Sequence, residues 1–234
     1  MSNNYPIYRQ HGSALFALLV VVLVIILVFL FVGVTESAFE EIGFTRPEFA
    51  VILVLTLLGS FINIPVTRVT GNEPVIGYRE VQFFGATYRI PVTARARVST
   101  VVAINVGGAV IPILVSAYLL LTHASLVGYI LVGVIVTSVL VHLMARKVKG
   151  QGIETPAFLP PICAAVISLL IHPGAGVAVI AYVSGSMGAL IGADLSNLNG
   201  ITELGAPVAS IGGAGTLDGV FLTGIIAVIL VSLV

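Results

Sequence analysis

The sequence predicts an all-α polytopic membrane fold of about seven transmembrane helices, with a small cytoplasmic β-hairpin between helices 2 and 3. Three observations carry this. Hydrophobic residues make up 58% of the 234 and charged residues 9%, far from the roughly half-apolar, quarter-charged soluble average; the mean hydropathy is +1.16. The apolar residues gather into segments of the length that crosses about 30 Å of hydrocarbon. Basic residues concentrate in alternate loops, as the positive-inside rule requires of spanning helices.

The first segment, Ala14 to Val34, follows a short tail over 1–13. It is longer than the roughly 7–15 residues of a secretory h-region and reads as a retained helix, with cleavage near Ser37-Ala38 as the competing reading. The second, Glu48 to Val66, ends in Asn63 and Pro65. Between it and the third, Val75 to Val92 place Tyr78, Val81, Phe83, Phe84, Tyr88 and Ile90 around Gly85. That composition suits two short strands and a turn, a hairpin region over 67–97 lying close to the bilayer surface. The third segment, Val98 to Leu121, is interrupted by Asn105, Gly107, Gly108 and Pro112. Non-helical backbone at membrane depth survives only where protein or a water-filled cavity covers it. Asn63 and Asn105 are therefore expected in the bundle interior, as structural hydrogen-bonding groups or as contacts for a substrate or ion. The fourth segment runs from Leu126 to Ala145, and the fifth, Thr155 to Ile171, is short and carries Pro156, Pro160 and Pro161, so a re-entrant half-helix competes with a full span. The sixth and seventh run from Gly176 to Asp194 and from Leu217 to Val234. The chain 1–234 reads as a single transmembrane domain.

Charge sets the orientation. Arg9 precedes the first segment; Arg68, Arg79, Arg89, Arg95 and Arg97 follow the second; Arg146, Lys147 and Lys149 follow the fourth. If all seven segments span, these lie on one side, which predicts a cell-membrane protein with a cytoplasmic N-terminus and a C-terminus outside. Glu36, Glu40 and Glu41 against Arg46 then lie outside, and the loop from Leu195 to Thr216 is cytoplasmic. The formal charge is zero and no basic run tracks phosphates, so no nucleic-acid partner is expected. The lone Cys163 excludes a disulfide framework and a cysteine metal site. No metal and no cofactor is predicted; the expected partners are the lipid bilayer and a membrane-embedded peptide or small ion.

The site hypothesis rests on the only two aspartates, Asp194 and Asp218, in a C-terminal half with no Lys or Arg after Lys149. A carboxylate at membrane depth without a cation must be protonated, share a proton, or hold an ion. Gly185, Ala189 and Ala193, with Gly188 and Gly192 beside them, form a small-residue face on segment six, and Gly215 and Gly219 repeat the spacing on segment seven. Such faces let helices approach closely, which would bring both aspartates to similar depth. Gly213 and Gly215 open segment seven, where backbone N–H groups suit an anion, a close helix contact or a substrate; Asp218 opposes the anion by repulsion. Two carboxyl groups about 3 Å apart cannot both ionise, so one stays protonated while the other acts as base toward water. A few ångströms farther apart, the same pair suits an ion or proton relay. Ser210 and His172 lack nucleophile context, His123 and His142 lie on separate apolar segments, and His142 reads as an interior or interfacial side chain.

Gly192-Ala193-Asp194 and Gly213-Ala214-Gly215-Thr216-Leu217-Asp218 resemble a loosened form of the motifs of GxGD intramembrane aspartyl proteases, the class of presenilin, signal peptide peptidase and prepilin peptidase. That resemblance implies catalytic roles for Asp194 and Asp218 in peptide hydrolysis. The chain departs from the class in the two residues between Gly215 and Asp218, in Ala193 where presenilin has tyrosine, and in lacking Pro-Ala-Leu after Asp218. Separately, Asn63-Ile64-Pro65, Phe83-Phe84-Gly85, Ala103 to Gly108, Gly192 to Leu195 and Ser210 to Gly219 are similar to an uncharacterised family of archaeal and bacterial membrane proteins known as a domain of unknown function. It covers most of the chain and implies no activity. Three functions stay open: an aspartyl protease-like hydrolase, an ion- or proton-coupled transporter or channel, and a non-catalytic membrane component.

Overall fold

The computed structural model describes residues 14–83, 86–148, 152–204, 207–213 and 219–234. Among these, seven α-helices occur in chain order: α1 Ala14–Glu41, α2 Arg46–Gly59, α3 Ile111–Thr122, α4 Val127–Met144, α5 Leu159–Ile171, α6 Val177–Ala189 and α7 Gly219–Ser232. Five strands accompany them: β1 Asn63–Phe83, β2 Ala86–Asn105, β3 Arg146–Val148, β4 Gly152–Glu154 and β5 Val208–Ile211.

Three helical stretches are long and apolar enough to cross a membrane: Phe16–Glu41, Ala124–Met144 and Val177–Leu198. The first is apolar all round and none of its most apolar window is buried. Its C-terminal end packs, where Phe39 lies fully buried among Phe44, Phe49, Tyr182 and Phe221, with ring centroids 5.3–6.3 Å away. The corner that follows turns at Gly43 (φ +95). Arg46 there reaches Glu36 (2.9 Å) and Glu40 (3.0 Å), while Glu48 accepts from the Thr45 backbone N–H and hydroxyl, closing the first turn of α2.

The remaining helices are shorter than the expected segments. A 14-residue helix such as α2 or α7 is about 21 Å long, well under the hydrocarbon thickness. Two expected segments convert to strand. Glu48 to Val66 leaves the helix after Gly59 and is extended from Asn63; Val98 to Leu121 is extended through Asn105, passes a π-helical turn over Val106–Val110 and becomes helical only at Ile111. The cause is pairing. Asn63 stands opposite Asn105 and the antiparallel register runs on to Phe83 opposite Ala86, broken by one bulge between Pro65 and Thr67. The strands expected around Gly85 belong to this ribbon, which runs from Asn63 to Phe83 and from Ala86 to Asn105, β-branched residues prolonging the ladder toward the helices.

β5 adds to β2 in parallel, Val101 opposite Val208 through Ile104 opposite Ile211, giving the sheet order β1-β2-β5. β3 and β4 form a separate small hairpin. The fifth segment is the 13-residue α5 with Pro160 and Pro161 in its first turn, where proline's missing N–H costs nothing.

The small residues of α6 divide between two neighbours. Gly185 meets α7, where an added methyl would press on the Thr223 carbonyl at 3.0 Å and Gly224 at 3.2 Å. Gly188 and Gly192, expected on the same face, instead meet α4, where an added methyl would lie 2.5 Å from Thr137 Cγ2 at the first and 2.8 Å from Val141 Cβ at the second. At 100° per residue, positions 185 and 188 diverge enough for a central helix to use both.

Candidate functional site

The breaks in α2, α3 and α6 converge. Asn105 is fully buried at the start of the π turn. Its Nδ2 donates to the Ser60 carbonyl (2.7 Å) and to Asn63 Oδ1 (3.2 Å), and its Oδ1 accepts the Gly108 N–H (2.7 Å). Asn63 Oδ1 also accepts the Ser210 hydroxyl. One asparagine pair therefore ties the end of α2, the base of the ribbon, the lead-in to α3 and strand β5. The sequence expectation left open a structural or a ligand role for these amides; the bonds seen are all to the protein itself.

Asp194 ends a π-helical turn, Leu190–Asp194, that continues α6. Its Oδ2 accepts the Gly212 N–H at 2.7 Å, an ionisable acceptor on a backbone donor and among the stronger classes of hydrogen bond. Gly212 can sit there because it has no side chain: its φ is +81, and a methyl at this position would lie 2.6 Å from the Ala109 nitrogen and 2.7 Å from the Gly108 carbonyl carbon. Gly213 follows with φ +78. The segment after β5 is thereby seated between Asp194 and the first residues of the other π turn. Gly215 and Asp218 lie outside the described residues. Val220 of α7 clusters with Ala189 of α6, Leu190 of the π turn and Ala109.

A second polar group was not visible in the sequence. His142, at the end of α4, stands 2.8 Å through Nδ1 from Ser196 Oγ, which donates to the Gly192 carbonyl at 2.6 Å. Asn197, buried, donates to the Ala193 carbonyl at 2.9 Å. These side chains absorb the carbonyls released where α6 changes to π and then 3-10 geometry over Leu195–Leu204. No spacing signals the contact, since His142 and Ser196 are 54 residues apart. His172 stacks instead near Tyr129, with centroids 4.7 Å apart. Among the described residues no group of three or more His, Cys, Asp and Glu side chains is placed to hold a metal.

The family described as "Protein of unknown function (DUF1614)" matches residues 57–230, and the chain belongs to it. The match bears out the likeness to a domain of unknown function and lends no support to the likeness to aspartyl proteases. No curated protein matches the chain, and no solved structure does.

Proposed function

We propose that this member of the DUF1614 family is an integral membrane protein with a paired-carboxylate site, Asp194 with Asp218, at the ends of α6 and α7 that meet the sheet, and that the site hydrolyses a membrane-embedded peptide. The membrane reading is supported by α1, none of whose apolar window is buried; a helix stretch apolar all round needs lipid or protein around it. Charge supports a cytoplasmic face for the sheet end and an outside C-terminus.

The single observation that carries the site is the bond from Gly212 N–H to Asp194 Oδ2. It holds the segment leading to α7 against the end of α6. The side-by-side packing of Ala189 and Leu190 with Val220, two residues after Asp218 in sequence, supports a common level for both aspartates. In the proposed reaction one carboxyl keeps its proton and the other takes a proton from water, whose oxygen attacks the peptide carbonyl. Gly213, Gly215, Asn63 and Asn105 belong to the walls of the site. β5 supports a peptide as substrate: it is one of the two edge strands of its sheet, and an extended chain adding to such an edge is a recurrent mode of peptide capture.

A second reading, ion- or proton-coupled transport, is favoured by the broken backbone: two π turns and two places where an expected helix is strand instead. Irregular backbone of this kind marks ion and substrate sites in transporters. One experiment separates the two. Purified protein in vesicles is given a panel of transmembrane peptides, with cleavage read by mass spectrometry and proton flux by an internal dye. Loss of cleavage in both Asp194→Asn and Asp218→Asn supports hydrolysis; intact flux in the native protein that fails in these variants, with no cleavage at any stage, supports transport. A native protein with neither activity refutes both.

A further inference from the structure

Where α4 ends, two nitrogen-bearing side chains come down on one face of the 3-10 stretch Leu195–Leu204. His142 meets it at Ser196 and Asn197, with Nδ1 2.8 Å from Ser196 Oγ and 3.4 Å from Asn197 Nδ2. Lys147 meets it at Gly200: a methyl added there would run into the lysine Nζ and Cε and lie 2.8 Å from its Cδ. The lysine thus lies along a stretch of backbone that glycine leaves bare. In 3-10 geometry residues three apart eclipse, and three residues advance about 6 Å. Asn197 and Gly200 therefore share a face, with the imidazole and the ammonium roughly one turn apart on it.

Both groups have hydrogen-bonding capacity to spare. Among the described residues the Lys147 ammonium has neither a hydrogen bond nor an ion pair, and His142 is engaged through Nδ1 alone, leaving Nε2 free. A cation just beyond a helix C-terminus ordinarily turns back to the last carbonyls; Lys147 turns onto Gly200 instead. The small hairpin explains why. Lys147 pairs with Ile153 and Arg146 with Glu154, and paired residues share a face while successive ones alternate. Ile153 clusters with Leu198, so the Lys147 face is the one turned to the 3-10 stretch. Arg146 and Glu154 lie together on the other face, where their charges offset each other.

We propose that His142 and Lys147 bind a phosphate group, each donating to a different oxygen. Two donors a turn apart are too far to bond each other and suit one tetrahedral oxyanion placed between them, to which an ammonium makes a charge-assisted bond. Ser196 holds the ring through Nδ1 and leaves Nε2 for the ligand. The surroundings favour a lipid headgroup as the source of the phosphate. Ile135, Val139 and Leu143, spaced four apart on α4, form an exposed apolar line that ends next to His142, a track for an acyl chain. The phosphate assignment rests on neither proposed activity, and only the lipid source rests on the membrane reading. An occupied site would also bear on Asp194, because Ser196 and Asn197 hold the Gly192 and Ala193 carbonyls of the turn that ends in it.

The test uses the full chain in neutral detergent with isotope-labelled histidine. The four histidines give separate ring nitrogen resonances, and His142→Gln identifies its own. The probes are short-chain phosphatidylglycerol, inorganic phosphate and, as an anion without phosphorus, decanoate. The expected result is a saturable shift of the His142 signal with a phosphate probe, the other histidines staying still and decanoate acting more weakly. Tighter binding of phosphatidylglycerol assigns the headgroup as the source; equal or tighter binding of inorganic phosphate assigns free phosphate. Lys147→Gln should weaken binding about tenfold. Gly200→Ala should do the same by pushing the ammonium aside, and since only the far end of a flexible side chain has to give way, the thermal midpoint should stay native. Arg146→Gln, on the opposite face, should change affinity by less than about threefold. The site is overturned by a still His142 signal with both phosphate probes or by an equal response to decanoate. Native affinity in both Lys147→Gln and Gly200→Ala, or a loss in Arg146→Gln as large as in Lys147→Gln, overturns it as well.

Discussion

Gly212→Ala tests the hinge of the site directly. The substitution meets two costs. Alanine at φ +81 pays the left-handed penalty of about 1–2 kcal/mol, and its methyl, 2.6 Å from the Ala109 nitrogen, adds an overpacking cost of about 1–3 kcal/mol. Gly43→Ala isolates the first term, since Gly43 has φ +95 and nothing within 4 Å of an added methyl. The difference between the two variants, about 1–3 kcal/mol, corresponds to about 2–12 °C in unfolding midpoint for a chain of this size. The assay is labelling of the sole cysteine, Cys163, by a thiol-reactive dye during heating in detergent. Because Gly212 acts through Asp194, Gly212→Ala combined with Asp194→Ala should cost less than the sum of the two. A Gly212→Ala midpoint no lower than that of Gly43→Ala, or strict additivity with Asp194→Ala, would refute the clamp.

Other outcomes follow from the same geometry. Asn105→Ala leaves the Gly108 N–H and the Ser60 carbonyl without their buried partner and should cost about 2–4 kcal/mol, read as the same midpoint shift, whereas Ser210→Ala, which removes one bond at a half-buried position, should cost less than half as much. Gly188→Ala drives a methyl into Thr137 and should destabilise by about 1–3 kcal/mol; Thr137→Ala in the same chain should recover part of that loss, measured as a double-mutant cycle. A topology reporter after Val234 should lie outside the cell and one inserted within 147–152 inside, and two signals from one side would remove the seven-span arrangement.

Legibility in the sequence followed the reach of the interactions involved. α4 and the run from Val177 to Asp194 were readable almost to the residue, because long apolar periodic stretches fix themselves locally. Val98 to Val102 is equally good apolar membrane helix and β-branched strand, and only its partner across the chain, Val101 opposite Arg68 and Thr100 opposite Val69, decides between them. β5 is four residues long and exists because β2 is there to receive it. Asp194 stood out as an acid without cations, yet its partner is a backbone N–H, a group every residue but proline carries. The glycine at 212 was the one trace, and several neighbouring glycines made it indistinct. His142 gave no hint of Ser196, since a helix end reveals its unsatisfied carbonyls only once folded.

The four-residue parallel ladder between β2 and β5 has a mechanical meaning. β5 is pinned at Gly212 to Asp194 and at Ser210 to Asn63, so any displacement of the end of α6 is delivered through β5 to the root of the ribbon. The ribbon then acts as a long arm on a short fulcrum: a tilt of about 5° at the ladder, over about 43 Å of paired strand at 3.3 Å per residue, sweeps the far pairs through about 4 Å. Occupancy of the Asp194 end, too small a change to alter the bundle visibly, would be written as a movement several times larger at the opposite end of the sheet.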